Sequence, residues 1–446
     1  MHEPSSRGSR RIPRALGIVS SVLCGLGLAC AGPGEGSAPL RTLRSSAPRV
    51  SGERVSQSTF DRFARRTRKL ELELYARALR REGNVVIAPY AAAASLGMLY
   101  GATAGETRRE VKRALELTAG PPSAHIAFNA TDQALRGRSD ERMTDPRGVQ
   151  GGNLDVQLTY RGVVRKGVQI QPAYLELLSR YYGAELLLAD LARSSEREAV
   201  STWVSERTGG RIQALLPAKS SRPEARFALA STCLLEASWL IPFDRSRTNE
   251  ETFASPTGPV PVSMMHGTAE LYAEGDGFQA FRLHYVSAGL SVIFVLPAEG
   301  RLEEVERRFT PRTLGRLLVD LSRPRYRVSL KIPRFAVGST FALEQDLVTL
   351  GIRRAFHPTE ADLSLMTKES GPLLEEVYHG AFFSVDEEGT DAEAAPRLKL
   401  RRGTGLTPVE LHLTRPFLFL ALDLQTGQIL LAGRIVDPSV RPVGRE

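Results

Sequence analysis

The sequence predicts an α+β protein with large antiparallel or mixed sheets, and three observations carry that expectation. Helix-period apolar patterns crowd the first part of the chain, strand patterns dominate beyond Val262, and the two do not alternate as regular strand–helix–strand units. No internal repeat is present, so a single domain over residues 58–439 follows, with a short tail at residues 440–446.

Ahead of that domain, residues 1–30 have the layout of an export signal: Arg7, Arg10, Arg11 and Arg14, then an apolar or small stretch over residues 15–29. The stretch is too short to span a membrane comfortably. Cys30 follows Leu26-Gly27-Leu28-Ala29 and so resembles the lipid-attachment cysteine of bacterial lipoproteins, with a plain secretory signal as the other reading. Either way the domain works outside the cytoplasm, secreted or anchored at the bacterial outer membrane through Cys30. Residues 31–57 are mostly Gly, Pro, Ser and Arg, a composition that does not repay the entropy of ordering, and they are expected to form a flexible tether.

From Ser58, apolar residues recur at helical spacing (Phe60, Phe63, Leu70, Leu74, Leu79) until Gly83-Asn84 end the run. A β-branched burst at residues 85–87 precedes a nearly all-apolar helix at residues 89–100, which should be buried on every side. Helices are also predicted at residues 107–117, 172–182 and 195–208, followed by a β-rich stretch at 227–240. Further on, residues 278–283 and 290–296 read as a hairpin pair and 327–332 as a strand, with short helical returns at 302–309, 312–321 and 341–350.

Composition and motifs exclude more than they assert. With 42% apolar and 24% charged residues the chain is ordinary for a globular protein, and its net charge of +9 rests on 52 arginines against seven lysines. No stretch interleaves basic with aromatic residues as a nucleic-acid groove requires. The cysteines are Cys24, Cys30 and Cys233, two of them in the leader, so no disulfide framework is possible. There is no Gly-x-Ser-x-Gly elbow, Walker loop, His-Glu-x-x-His or Cys-x-x-Cys, and the seven histidines are dispersed. Neither an enzyme nor a cofactor or metal protein finds support.

What the chain does carry is a series of blocks in one order. Asn84 to Pro89 stands with Met98, Gly101 and Gly105-Glu106-Thr107, and Tyr181 to Ala184 with Trp203 and Thr208 to Ile212. Then come Trp239, Pro242-Phe243, Thr248, Phe253 and Val262 to Met265. The last group is Pro333-Arg334-Phe335, Leu350-Gly351-Ile352, His379-Gly380-Ala381, Asp386 to Thr390, Pro416-Phe417 and Gly433 to Pro438. In this order the blocks resemble the serpins, over residues 58–438. The resemblance implies three β-sheets, eight to nine helices and an exposed reactive-centre loop. It also implies an inhibitor that a protease attacks as substrate, and whose cut loop enters the main sheet and traps the acyl-enzyme.

That mechanism requires a segment suited to solvent before cleavage and to a central strand afterwards. Stepping by two from Thr390 gives Thr390, Ala392, Ala394, Pro396, Leu398 and Leu400, while the alternate set is Asp391, Glu393, Ala395, Arg397, Lys399 and Arg401. One face suits a core and the other suits water. By the resemblance, Glu387, Glu388, Gly389, Thr390, Ala392, Ala394 and Ala395 form the hinge. Glu393 interrupts its small residues, and Pro396 lacks a donor the strand would use. The family's usual distances imply a cut after Gly403 when counted from Gly389 and after Gly405 when counted back from Pro416, but glycine gives a specificity pocket nothing to hold. Arg402 offers a cation to an acidic pocket, so the reactive bond is assigned to Arg402-Gly403, with Arg401 and Thr404 as neighbouring candidates.

The resemblance further assigns Trp239 to the top of the main sheet, where insertion begins, and His379 to a latch partway down. The latch is expected to be weak, because Ala88 and Ala91 stand where serines are common and Ser231 where asparagine is common. The expected partner is a trypsin-like serine protease, held covalently, with cysteine proteases as a further class. The chain is expected to be monomeric, without nucleic acid and without membrane contact beyond a lipid at Cys30. The alternative is a non-inhibitory serpin-fold binding protein whose loop is cut as a plain substrate.

Overall fold

The computed structural model describes residues 40–52, 56–118, 120–140, 153–219, 226–287, 289–369, 374–390 and 406–442. Among the described residues are nine α-helices: α1 (Gln57–Ala78), α2 (Pro89–Ala102), α3 (Gly105–Ala114), α4 (Pro121–Gly137), α5 (Pro172–Tyr182), α6 (Ser194–Arg207), α7 (Leu302–Arg308), α8 (Pro311–Asp320) and α9 (Glu344–Thr349). The described residues also form three sheets, of seven, six and four strands. The architecture is the α+β arrangement expected.

The seven-stranded sheet positions the site. Its strands are β1 (Thr42–Leu43), β2 (Leu154–Val164), β3 (Leu186–Leu188), β4 (Phe227–Ser238), β5 (Phe335–Ala342), β6 (Leu374–Val385) and β7 (Gly389–Thr390). They run in the order β1-β3-β2-β4-β6-β5, with β7 paired to β4. At its centre β4 and β6 pair in parallel, from Leu374 opposite Phe227 to Ala381 opposite Cys233. β2 lies antiparallel on the other side of β4. The six-stranded sheet contains the expected hairpin, Phe278–His284 against Leu290–Pro297. The four-stranded sheet orders Thr407–His412, Tyr326–Pro333, Gly258–Ala269 and Asn249–Ser255.

Both faces of the seven-stranded sheet are covered, and side-chain alternation on β4 sorts them. Phe227, Leu229, Cys233, Leu235 and Ala237 enter the main core with α2 and the six-stranded sheet. Ala228, Ala230 and Leu234 enter a second core with Tyr378 and Phe382 of β6 and Val200 and Val204 of α6. Every residue of α2 is buried, as its composition predicts. Small residues are required there, since a Cβ on Gly97 would lie 2.6 Å from the Tyr182 hydroxyl and one on Gly101 2.9 Å from Leu177.

Some expectations need correction. The helix predicted over residues 341–350 begins only at Glu344, because Phe335, Val337 and Phe341 alternate with more exposed residues as a strand does. The expected tether is docked from Leu40 to Gly52. β1 adds to the sheet edge through Thr42 opposite Leu187. Val50 donates to the Arg180 carbonyl at 2.9 Å and accepts from Gln133 at 2.8 Å. The Arg49 guanidinium lies 2.5 Å from Asp132. Polar and backbone bonds order the segment together with Leu40 and Leu43, which pack against the cores, and low apolar content does not register such bonds.

Candidate functional site

β4 ends at Ser238, and the next residue, Trp239, is buried and stacked on Tyr285 at 4.6 Å between ring centroids. The segment after β6 folds back over this tryptophan. Trp239 Nε1–H donates to the Asp386 carbonyl at 2.9 Å, and its main-chain N–H donates to the Glu388 carbonyl at 2.8 Å. The Asp386 carboxylate accepts the N–H groups of Glu388 and Gly389, each at 3.0 Å, closing a tight turn. Burial and the neighbouring Glu388 and Glu387 charges raise the Asp386 pKa above the usual aspartate value.

Glu387 is fully buried, which by itself favours the neutral acid. Arg334 Nε at 2.6 Å and Thr248 Oγ1 at 2.5 Å outweigh that effect and lower its pKa. Glu388 pairs with Arg245 at 2.6 Å, but that arginine is largely solvated, so the pair adds little stability. Gly389 passes so close to β4 that a Cβ would sit 2.1 Å from the Ala237 carbonyl oxygen, leaving room for glycine alone. Thr390 is buried, with Oγ1 2.6 Å from the Tyr285 hydroxyl. Gly389 lies opposite Ser238 and Thr390 opposite Ala237 in an antiparallel pair. Two residues of a strand are therefore already laid down at the top of β4, above the region where β4 and β6 pair directly.

Lower in the sheet, His379 of β6 lies opposite Ser231 of β4. The Ala88 main-chain N–H donates to His379 Nε2 at 2.9 Å, so the ring proton is on Nδ1 and is donated to Ser231 Oγ at 2.8 Å. Burial holds this imidazole neutral, with its pKa pushed down to about 3. The latch, expected to be weak, has both ring nitrogens bonded, one of them by a backbone amide.

The structure thus gathers Glu387, Glu388, Gly389, Thr390 and Trp239 at the top of the sheet, and His379 with Ser231 below. Ala392, Ala394, Ala395, Arg401, Arg402, Gly403, Thr404 and Cys30 lie outside the described residues. Tyr285, Asp386, Arg245, Arg334 and Thr248 join the site without having been assigned roles from sequence. Among the described residues no group of three or more His, Cys, Asp and Glu side chains is placed to hold a metal ion. On the face of β4 turned away from the main core, Ala228, Ala230 and Leu234 are packed beneath α6.

Comparison with known proteins is consistent over most of the chain. A family model described as Serpin (serine protease inhibitor) matches residues 65–438. An uncharacterized serpin-like protein of Thermococcus kodakarensis is 29% identical over 372 residues, covering 82% of this chain and 83% of the relative. Alpha-1-antitrypsin 1-5 of Mus musculus is 27% identical over 365 residues, covering 80% and 84%. Among solved structures, native Tengpin, a thermophilic serpin, superposes with a TM-score of 0.78 at 22% identity, over 90% of this chain and 100% of that one. Human thyroxine-binding globulin superposes with a TM-score of 0.74 at 24% identity, over 86% and 100%.

Proposed function

The chain belongs to the serpin family, and from that premise we propose that it is a suicide-substrate inhibitor of serine endopeptidases, with a trypsin-like preference for arginine. The observation that carries the reading is the short strand β7, antiparallel to β4. Continued in the same register, residues 389–400 run down the whole of β4, with Leu398 opposite Leu229 and Leu400 opposite Phe227, its first residue. Thr390, Ala392, Ala394, Pro396, Leu398 and Leu400 then share the main-core face of β4, and the small or apolar set is the one directed inward.

In the reaction, the protease serine attacks the Arg402 carbonyl, the Gly403 amine leaves, and an acyl-enzyme remains on Arg402. Insertion separates β4 from β6 and gives each a new antiparallel neighbour. The direct β4–β6 bonds are lost and two ladders replace them, so the net gain is about one ladder. At roughly 1 kcal/mol net for each hydrogen bond that is on the order of 10 kcal/mol, to which burial of Leu398 and Leu400 adds roughly 2 kcal/mol each. Work of that size is available to distort the attached protease before water releases it.

A second reading, a binding protein whose loop is cut as a plain substrate, draws on particular residues. Pro396 falls opposite Ser231 and deprives the ladder of one donor at the level of the His379 latch. Glu393, Arg397 and Lys399 fall opposite Leu234, Ala230 and Ala228, beneath α6, where charge is costly to bury. Incubation with trypsin followed by denaturing electrophoresis separates the readings. A band at the summed mass that survives boiling in SDS, and is lost in Arg402→Ala, supports inhibition, whereas cleavage without that band refutes it.

The chain is further proposed to act outside the cytoplasm, exported through residues 1–30, with Cys30 as the lipid-attachment residue of an anchored form. Incorporation of labelled fatty acid that Cys30→Ser abolishes supports the anchor, and equal labelling of the variant refutes it.

A further inference from the structure

Thr390 and Tyr285 are both fully buried, and each hydroxyl has the other as its hydrogen-bond partner, at 2.6 Å. Tyr285 does not move freely. Its ring lies parallel to Trp239 within 6°, and its main-chain N–H donates to the Leu290 carbonyl at 3.2 Å. On either side, Leu240 N–H donates to the His284 carbonyl at 2.8 Å and Val286 N–H to the Ser238 carbonyl at 2.9 Å. The phenol is therefore mounted on the junction that ties the end of β4 to the hairpin of the six-stranded sheet. If the hinge left its seat, each hydroxyl would lose the partner the structure gives it.

Register matters more in this chain than in one with a uniformly small insertable segment. Every second residue from Asp391 to Arg401 is charged except Ala395. A strand that slips by one residue turns all its side chains to the other face. Here a slip would drive Asp391, Glu393, Arg397 and Lys399 into the main core, where Leu229, Cys233 and Leu235 lie. Backbone pairing alone does not forbid the slip, since adjacent registers offer the same amide and carbonyl groups. Two contacts at the first rung oppose it: the Gly389 seat against Ala237, which a Cβ would not fit, and the Tyr285–Thr390 hydroxyl pair.

We infer that Tyr285 is a positioning residue that pins the register of the inserting strand, by holding Thr390 opposite Ala237 before the loop is cut. This rests on the inhibitory reading of the same site, so the test pairs one readout that needs no protease with one that does. The variants are Tyr285→Phe, Thr390→Val, which keeps shape and removes the hydroxyl, Thr390→Ser, which keeps the hydroxyl, and the double variant Tyr285→Phe/Thr390→Val. In the intact protein, hydrogen exchange of the residue 386–390 amides should rise about fivefold in Tyr285→Phe and in Thr390→Val, no further in the double variant, and stay near the parent rate in Thr390→Ser. With trypsin, the ratio of cleaved chain to SDS-stable complex should rise about threefold in the same variants and be restored in Thr390→Ser.

A merely structural role for Tyr285 would lower the melting temperature without this pattern, and additive effects of the two single changes would overturn the inference. So would unchanged exchange in both. If the exchange pattern holds and no variant, the parent included, forms a complex, the pin stands for the seated hinge and the inhibitory reading fails. If the parent forms complex and the exchange and partition ratios are the same throughout, the inhibitory reading stands and the pin fails.

Discussion

Acid should loosen the protein through His379, and the structure sets the scale. Its imidazole is buried and neutral, with a pKa pushed down to about 3 from an ordinary 6.5. Between these values the unfolded chain takes up a proton that the folded chain refuses, so the contribution to stability is full above pH 6.5 and falls as pH drops towards 3. At pH 4.5 about two units of the difference have been spent, which is about 3 kcal/mol. His125 and His284, pushed down to about 4 by burial, add losses of the same sign. The His379 share is therefore read as a difference from His379→Gln, which does not titrate. Urea unfolding at pH 7.5, 6.0 and 4.5, followed by tryptophan fluorescence, should show the parent losing about 3 kcal/mol more than the variant over that range. Parallel profiles, with the difference changing by less than about 0.5 kcal/mol, would refute the assignment of a buried neutral latch.

Three other changes have definite expected outcomes. Glu71 is fully buried on α1, with its pKa raised to about 7 by burial, so its contribution is full below pH 4.5 and lost as pH rises to 7. Glu71→Gln should therefore gain about 3 kcal/mol on the parent between pH 4.5 and 7.5, and an unchanged difference in the same urea curves would contradict this. Arg334→Met leaves the buried Glu387 carboxylate with Thr248 alone, and should cost about 2 kcal/mol in thermal unfolding, less than a fully buried pair because the guanidinium is partly solvated. Arg49→Ala removes the Asp132 ion pair and the Asn129 bond, and limited proteolysis should cut residues 40–52 several-fold faster, whereas an equal rate would mean the segment is held elsewhere.

Periodic signals made much of this architecture readable. α1, α2, α5 and α6 lie within two residues of where apolar spacing put them, because each shows one clear stripe or, for α2, none at all. β6 left no such trace. Its twelve residues are all buried, but Glu375, Glu376 and His379 interrupt the apolar run, and what makes them tolerable is distant: Arg197 meets Glu375 from 178 residues away. The site divides in the same way. Glu387, Gly389, Thr390, Trp239 and His379 were legible because family blocks contain them. Tyr285 belongs to no quoted block and Arg334 stands in one without an assigned role, because what they do exists only through contacts to Thr390 and Glu387 across 105 and 53 residues. The second partner of His379, the main-chain amide of Ala88, was not legible either, since no side-chain pattern announces it.

The central claim is that the cut loop becomes a strand between β4 and β6 in the register that Gly389 and Thr390 begin. A crystal structure of the chain cleaved at Arg402-Gly403 tests it most directly. The account predicts residues 389–400 antiparallel to both neighbours, with Ala392 opposite Leu235 and Leu400 opposite Phe227, and the Ser231–His379 bond broken. A cleaved chain in which Ala381 still lies opposite Cys233, with the β4–β6 ladder intact, would contradict it.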